Sequence, residues 1–163
     1  MTKVLPFGVI AFALMAGCAP KPVPTIVADA GEAAALSPDE QVLLALEAYS
    51  PMYQMNAKGR VIKMKIPWQH LTEPLLAEIN KLSALENLDC YATTINDEGL
   101  AQLKDLQKLR SLGLGGCEVT DEGLPHLGKL HNLRYVWLSK RKVSEEAAAA
   151  LKATLPDLTV YWQ

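Results

Sequence analysis

Apolar residues recur every 24 residues over the C-terminal two thirds of the chain, and this repeat constrains the fold more than any other feature. The four repeat units begin at Val61, Leu85, Leu109 and Leu133. Each unit opens with the rhythm L-x-x-L-x-L, whose alternating apolar positions are typical of one short strand with every second side chain buried. A fixed period of this length predicts stacked similar units, none of which can bury its apolar face alone.

A short helix is predicted in the second half of each unit. After the strand, an apolar residue is followed by a hydroxyl or amide side chain and then a carboxylate, as in Ile95-Asn96-Asp97 and Val119-Thr120-Asp121. Such side chains accept hydrogen bonds from the unpaired amides of a helix start, and a carboxylate is favoured there by the helix dipole. We therefore predict helix N-caps at Thr72, Asn96, Thr120 and Ser144.

These residues resemble the leucine-rich repeat family, in its bacterial 24-residue form whose helical segment opens V-T-D-x-G-L. The opening reads Val119-Thr120-Asp121-Glu122-Gly123-Leu124 here, and the preceding unit carries an altered copy, Ile95 to Leu100. The resemblance covers roughly residues 60–163. It implies an α/β solenoid with short parallel strands on a concave face and short helices on a convex face. The family often has Asn after the strand; this chain has Gln69, Thr93, Cys117 and Arg141, so at most a partial ladder of such bonds is expected.

Residues 37–59 are predicted to form an N-terminal cap of a helix and a hairpin, within a domain that covers residues 37–163. Ser37-Pro38-Asp39-Glu40 combines an N-cap, a proline in the first turn and a glutamate that can reach back. A helix over residues 38–49 follows, and Asn56 to Gly59 reads as a hairpin turn into the first repeat strand. The expected buried side of the helix consists of Val42, Leu43, Leu46 and Tyr49. After Leu155 a fifth, truncated strand is expected.

Residues 1–17 resemble a bacterial lipoprotein signal peptide. Lys3 precedes an apolar run that is too short to span a bilayer, and the run ends Leu14-Met15-Ala16-Gly17-Cys18. The resemblance implies that Cys18 becomes the first residue and carries a diacylglyceryl group and an amino-terminal acyl chain, which together hold a protein at a membrane. The alternative is an ordinary secretory signal with an incidental cysteine.

The predicted location is the bacterial cell envelope. Ala19 is not the aspartate that enteric-type sorting associates with inner-membrane retention, so the outer membrane, on its periplasmic or surface side, is expected. Residues 18–36 are rich in proline and alanine and read as a tether, which as a flexible coil would reach about 25 Å. The folded domain could therefore stand away from the membrane.

The charged and metal-binding residues give no sign of catalysis. The formal net charge of −2 argues against nucleic acid as a partner, because such binding needs a basic surface. His70, His126 and His131 lack a second ligand at metal-like spacing, so we predict no enzyme, no metal and no cofactor. Cys90 and Cys117 are expected to be buried free thiols rather than a disulfide.

The alternation of the strands points instead to a binding surface on the concave face. Gly113 and Gly115 would form a floor without side chains beside an aromatic patch. The predicted ligand-binding residues are Lys63, Lys65, Asp89, Tyr91, Tyr135, Trp137 and Tyr161. Exposed aromatic side chains are typical anchors for proteins or sugars, although they can also simply cover one another. The lysine pair can equally be a solvated edge.

The sequence thus predicts a membrane-anchored, non-enzymatic leucine-rich repeat lipoprotein that binds another envelope or surface protein through its concave face. A glycan or peptidoglycan binder that stacks sugars on the concave aromatics is the first alternative. A passive envelope spacer is the second.

Overall fold

A computed structural model describes residues 36–66 and 73–163. These residues form a mixed α/β structure around a single sheet with strands in sequence order. The strands are β1 Met52–Met55, β2 Val61–Lys65, β3 Asn87–Asp89, β4 Ser111–Gly113, β5 Tyr135–Leu138 and β6 Thr159–Trp162. The helices are α1 Pro38–Leu46, α2 Glu73–Asn80, α3 Asp97–Gln102, α4 Leu124–Leu127 and α5 Glu145–Thr154, with 3-10 turns at Glu47–Tyr49 and Leu103–Asp105.

The register of the sheet reproduces the 24-residue period of the sequence. Strand β1 runs antiparallel to β2, and all later strands pair in parallel. Met64 lies opposite Leu88, which lies opposite Leu112, and the row continues through Val136 and Val160. The predicted α/β fold with short parallel strands, including a truncated fifth repeat strand, is therefore confirmed.

The core lies between one face of the sheet and the helices. The buried leucines that open the units, Leu85, Leu109 and Leu133, join the inward side chains of the strands and helices in one continuous cluster. Leu100 and Leu103 from the second repeat unit are almost wholly enclosed in it. Because each unit buries its apolar side against its neighbours, the units stabilise one another.

The N-terminal cap forms as the sequence predicts, with a shorter α-helix. Ser37 Oγ accepts from the Glu40 amide (3.3 Å), and Glu40 Oε2 accepts from the Ser37 amide (2.8 Å), which closes a capping box. The α-helix ends at Leu46 rather than residue 49, and a 3-10 turn completes the segment. Val42 and Leu46 are buried, while Leu43 and Tyr49 pack against the core half-buried.

The hairpin turn at Asn56 to Gly59 is also confirmed. The Asn56 side chain accepts from the amides of Lys58 (2.9 Å) and Arg60 (3.1 Å). Gly59 has φ +70°, a left-handed conformation that glycine adopts without strain.

A buried carboxylate that the sequence analysis did not detect joins the cap to the first repeat strand. Asp39 is fully buried, and its two oxygens accept from Arg60 Nε and from the Val61 amide, both at 2.7 Å. Helix α1 is thereby fixed at the start of β2.

Two of the predicted N-caps are confirmed and one is wrong. Asn96 accepts from the Gly99 amide (2.9 Å) and Ser144 from the Ala147 amide (3.1 Å). Thr120 does not precede a helix: its Oγ1 accepts from the Glu122 amide (3.3 Å) within a turn, while its amide and hydroxyl donate to Asp97 of the preceding unit, at 2.8 and 2.6 Å. Helix α4 begins four residues later, at Leu124.

The same carboxylate bond recurs between the next two units. Asp121 Oδ1 accepts from the amide of Ser144 at 2.7 Å, just as Asp97 accepts from Thr120. The aspartate of each V-T-D-x-G-L segment thus binds the backbone of the following unit. The sequence analysis had assigned it only a favourable interaction with the helix dipole.

Cys90 and Cys117 are free and buried, as the sequence predicts. Burial raises the pKa of both thiols above the usual range for cysteine. Cys117 Sγ donates to the Cys90 carbonyl (3.0 Å), and Thr93 Oγ1 donates to the same carbonyl (2.8 Å). Of these two bonds, only that of Cys117 joins neighbouring units, so bonding between units at this position is at most partial, as predicted.

Several predictions concern residues outside the described ranges. They are the signal peptide, the lipid at Cys18, all but the last residue of the tether, and the predictions for Gln69, His70 and Thr72. No helix in the described ranges is long and apolar enough to cross a membrane.

Candidate functional site

The candidate site is the sheet face that points away from the helices, which we call the open face. Strand register places its side chains in two rows, since residues paired across neighbouring strands project to the same side. The first row is Gln54, Lys63, Asn87, Ser111, Tyr135 and Thr159. The second row is Met52, Lys65, Asp89, Gly113, Trp137 and Tyr161. All twelve residues are partly or largely exposed.

A groove of about 670 Å³ crosses the open face. Its floor includes Ser111 and Gly113 of β4, and Trp137 lies along one side. Strands β1 and β2 form the other side, with Met52 and Lys63 among the contributing residues. The volume falls within the range of sites that hold small ligands or a few side chains.

Three of the predicted aromatic residues form one stack. The rings of Trp137 and Tyr161 have centroids 5.1 Å apart and an interplanar angle of 16°. Tyr135 lies 6.4 Å from Tyr161 at 29°. The expectation that the aromatics cover one another is thus met in part, yet Tyr135 and Tyr161 remain 46% and 43% exposed.

One place in the second row carries no side chain. Gly113 lies between Asp89 and Trp137, which pair with it on either side. Tyr161 covers one face of the Trp137 indole, so the opposite face is turned toward Gly113 and the groove. A Cβ at Gly113 would come within 2.9 Å of Asp89 Oδ1, so the carboxylate leans over the same place.

The second glycine of the predicted floor is covered. A Cβ on Gly115 would overlap Oε1 of Gln163 and approach the ring of Tyr91 to 3.0 Å. The Gln163 side chain therefore lies over Gly115, and with Tyr91 it closes that end of the groove. The predicted glycine floor is accordingly limited to Gly113.

The charged residues of the groove are not equivalent. Lys65 Nζ lies 3.1 Å from Asp89 Oδ2, and Asp89 Oδ1 accepts from the Tyr91 amide at 3.0 Å. Lys63 is exposed and has no ion pair with any residue in the described ranges. Among the side chains that line the groove, two are lysines and one is a carboxylate.

The open face brings all seven predicted residues together, but in two parts. Lys65 and Asp89 form an ion pair on one side, and the aromatic stack lies on the other, while Tyr91 closes the end. The analysis missed Met52 and Gln54. Both residues lie on β1, the strand before the hairpin turn. Placing a strand at Met52–Met55 and reading its alternation would have identified them.

Chemically, this arrangement can hold a ligand by ring stacking, hydrogen bonds and charge. Within residues 36–66 and 73–163, no group of three or more His, Cys, Asp or Glu side chains could hold a metal ion. The thiols of Cys90 and Cys117 lie in the core, away from the groove.

Comparison with models of known protein families gave no match, and neither did comparison with curated protein sequences. Among solved structures, the chain is similar to the LRR (leucine-rich repeat) ectodomain of the receptor kinase SOBIR1 from Arabidopsis thaliana. The match has 14% identity and a TM-score of 0.41, and it covers 78% of this chain and 92% of that chain.

Proposed function

We propose that the chain is a leucine-rich repeat solenoid, anchored to a bacterial envelope by lipid at Cys18, that binds another envelope or surface protein through its open face and is not an enzyme. The observation that carries the binding proposal is the groove over Gly113, with the face of Trp137 on one side and Lys63, Lys65 and Asp89 on the other.

The exposed aromatic rings support a binding role. Tyr91, Tyr135 and Tyr161 are each more than 40% exposed on one face of the sheet. Leaving such rings in water is unfavourable, and aromatic residues are enriched among those that contribute most to protein interfaces. A partner that covered them would gain from burying this surface.

The size of the open face sets the kind of partner. Six strands at about 4.8 Å spacing make a sheet only about 24 Å across. A stable interface between two folded domains usually buries about 800 Å² on each side. The groove therefore suits a segment of a partner protein better than a whole domain surface.

The binding proposal can be tested by capture. The full-length chain, purified in detergent, is used as bait against native envelope extract beside the double variant Tyr135→Ala, Trp137→Ala. We expect a discrete protein that the parent captures and the double variant loses. Circular dichroism confirms that the variant is folded, and Lys104→Ala, an exposed change outside the open face, is the matched control. Equal capture by all three proteins, or no capture, would favour a passive spacer.

The anchoring proposal has its own test. Cys18→Ala removes the thiol to which the diacylglyceryl group would be attached, so labelling with radioactive palmitate should be lost and the protein should leave the membrane fraction. Cys90→Ala is the control and should remain in the membrane. Unchanged fractionation of Cys18→Ala would contradict lipid attachment and favour an ordinary secretory signal.

A glycan ligand is the second candidate, and the one-sided Trp137 stack is the observation that favours it. A sugar ring could lie on the indole face turned toward Gly113, with the side chains of Asn87, Ser111 and Gln163 as hydrogen-bonding partners. Retention on purified cell wall that resists high salt and requires Trp137 would support the glycan. Retention by one protein supports the first proposal.

A further inference from the structure

We propose that the groove binds an extended partner segment in which an aromatic residue and an acidic residue are separated by one residue. The aromatic ring lies over Gly113 against Trp137, and the carboxylate lies at Lys63 and Lys65. This inference rests on the proposed function, since it specifies the chemistry of the partner for the same site.

The place of the ring follows from the geometry of the second row. Side chains on neighbouring strands stand about 4.8 Å apart, which is close to the 5.1 Å between the stacked rings of Trp137 and Tyr161. Gly113 occupies the next position in that row and has no side chain of its own, and the nearest neighbouring atom there is Oδ1 of Asp89. A ring from a partner at this position would continue the stack, and aromatic pairs in such offset arrangements contribute beyond the area they bury.

The place of the acid follows from the charges. Lys65 already has a partner in Asp89, whereas Lys63 has no ion pair with any residue between 36 and 66 or 73 and 163. A second carboxylate placed between the two ammonium groups would balance the groove. A basic group beside Lys63 would be repelled by it, so charge complementarity favours an acidic segment.

The spacing of the two residues follows from the distance between strands. Gly113 on β4 and Lys65 on β2 are two strand positions apart, about 9.6 Å. In an extended chain, alternate side chains share a face and lie about 6.8 Å apart. The flexible lysine stems can cover the remaining distance. A segment of the form aromatic-x-acidic, lying across the strands, therefore fits.

Fluorescein-labelled peptides test this prediction against the purified full-length chain in detergent. The probe is GYGEG, and its matched controls are GLGEG, which lacks the ring, and GYGKG, which reverses the charge. Fluorescence anisotropy measures each dissociation constant. We expect GYGEG to bind at least tenfold more tightly than either control. Equal binding of the three peptides, or no binding of GYGEG, would overturn the inference.

Two variants locate the contacts. Gly113→Val places a side chain between Asp89 and Trp137 and should lower the affinity for GYGEG at least tenfold. Lys63→Glu should lower the affinity for GYGEG and raise the affinity for GYGKG. Lys104→Glu makes the same charge change outside the open face and should leave both unchanged. If Gly113→Val fails to fold, Lys63→Glu still tests the inference, because Lys63 is exposed and its substitution does not disturb the core. Unchanged GYGEG affinity in Lys63→Glu would overturn the inference.

The capture experiment distinguishes failure of the inferred peptide segment from failure of the proposed function. If a partner is captured through Trp137 but Gly113→Val still captures it, the inference about the inserted ring fails and the proposed function stands. If no partner depends on the open face, both fail. Binding of cell-wall fragments without binding of GYGEG would contradict the peptide segment and support the glycan.

Discussion

At the scale of single residues, Asp39 stabilises the fold through buried hydrogen bonds that the surrounding sequence does not predict. Its carboxylate is fully buried and accepts from both Arg60 and the amide of Val61. A buried acceptor that is removed leaves its donors unpaired, and an unpaired buried donor costs more than the hydrogen bond contributed.

We expect Asp39→Ala to lower the free energy of unfolding by about 2–4 kcal/mol, because it leaves the Val61 amide and part of Arg60 without an acceptor. Urea unfolding followed by circular dichroism measures the change. Glu47→Ala, an exposed carboxylate in the same segment, should change it by less than about 0.5 kcal/mol. Equal losses in the two variants would contradict the assigned role of Asp39.

The buried thiol of Cys90 predicts a dependence of stability on pH. Desolvation by burial, followed by repulsion from Cys117 and Asp89, raises its pKa in the folded state. The folded protein keeps this proton while the unfolded chain loses it above about pH 8.5, so this contribution to stability is present below that pH and is lost as pH rises.

Unfolding free energies of the parent and Cys90→Ala between pH 7 and 9.5 test this. The parent should lose stability above pH 8.5 more steeply than the variant, by up to about 1.4 kcal/mol per pH unit. Other groups titrate in both proteins, so the difference isolates the thiol. Parallel curves for the two proteins would refute the prediction.

The sequence predicted which side chains are buried where they follow the repeat, but not where they lie outside it. Cys90 takes a leucine position of the repeat, and its burial followed from that. Asp39 could not be identified as buried, because an aspartate in the first turn of a helix is normally solvated. Its bonds to Arg60 and to the Val61 amide, 21 and 22 residues away, distinguish it.

At the scale of the elements, the V-T-D-x-G-L segment joins successive units. The aspartate of one unit accepts from the Thr or Ser position of the next, as Asp97 does from Thr120. A Cβ on Gly123 would overlap Asp97 Oδ1 and lie 3.1 Å from Leu100 Cδ1. Glycine is therefore needed here for close approach between units rather than for an unusual backbone conformation, since its φ is −78°.

Gly123→Ala should accordingly lower stability by about 1–3 kcal/mol through overpacking. If the clash with Asp97 is the cause, the same substitution should cost clearly less in an Asp97→Ala background. Denaturant unfolding of the two single variants and the double variant gives the coupling energy. Additive losses would show that the Asp97 contact is not responsible.

The sequence predicted these elements to within a few residues wherever the repeat is regular. It placed Asn96 and Ser144 as helix N-caps, and both are. It misplaced the helix after Thr120, whose hydroxyl accepts from the Glu122 amide in a turn and also donates to Asp97 of the preceding unit, 23 residues back. A bond between units is tertiary, and local preference is overridden by it.

At the scale of the whole molecule, a repetitive core supports an irregular surface. The inward row Met64, Leu88, Leu112 and Val136 is apolar throughout, whereas the outward rows change from lysines through a glycine to stacked rings. The core was predictable because its period is fixed. The groove was predictable only as a face, since its edges depend on Gln163 and on β1, which lie outside the repeat pattern.

We propose that the open face binds a partner protein, and site-specific photo-crosslinking from that face in native membranes tests this proposal. A photoreactive benzoylphenylalanine replaces Tyr91, which is 52% exposed at the end of the groove, and the control carries it at Lys104, exposed outside the open face. On illumination, we expect a discrete protein adduct from position 91 and none from position 104. Adducts of equal yield from both positions, or none from position 91, would show that the open face does not bind a partner protein.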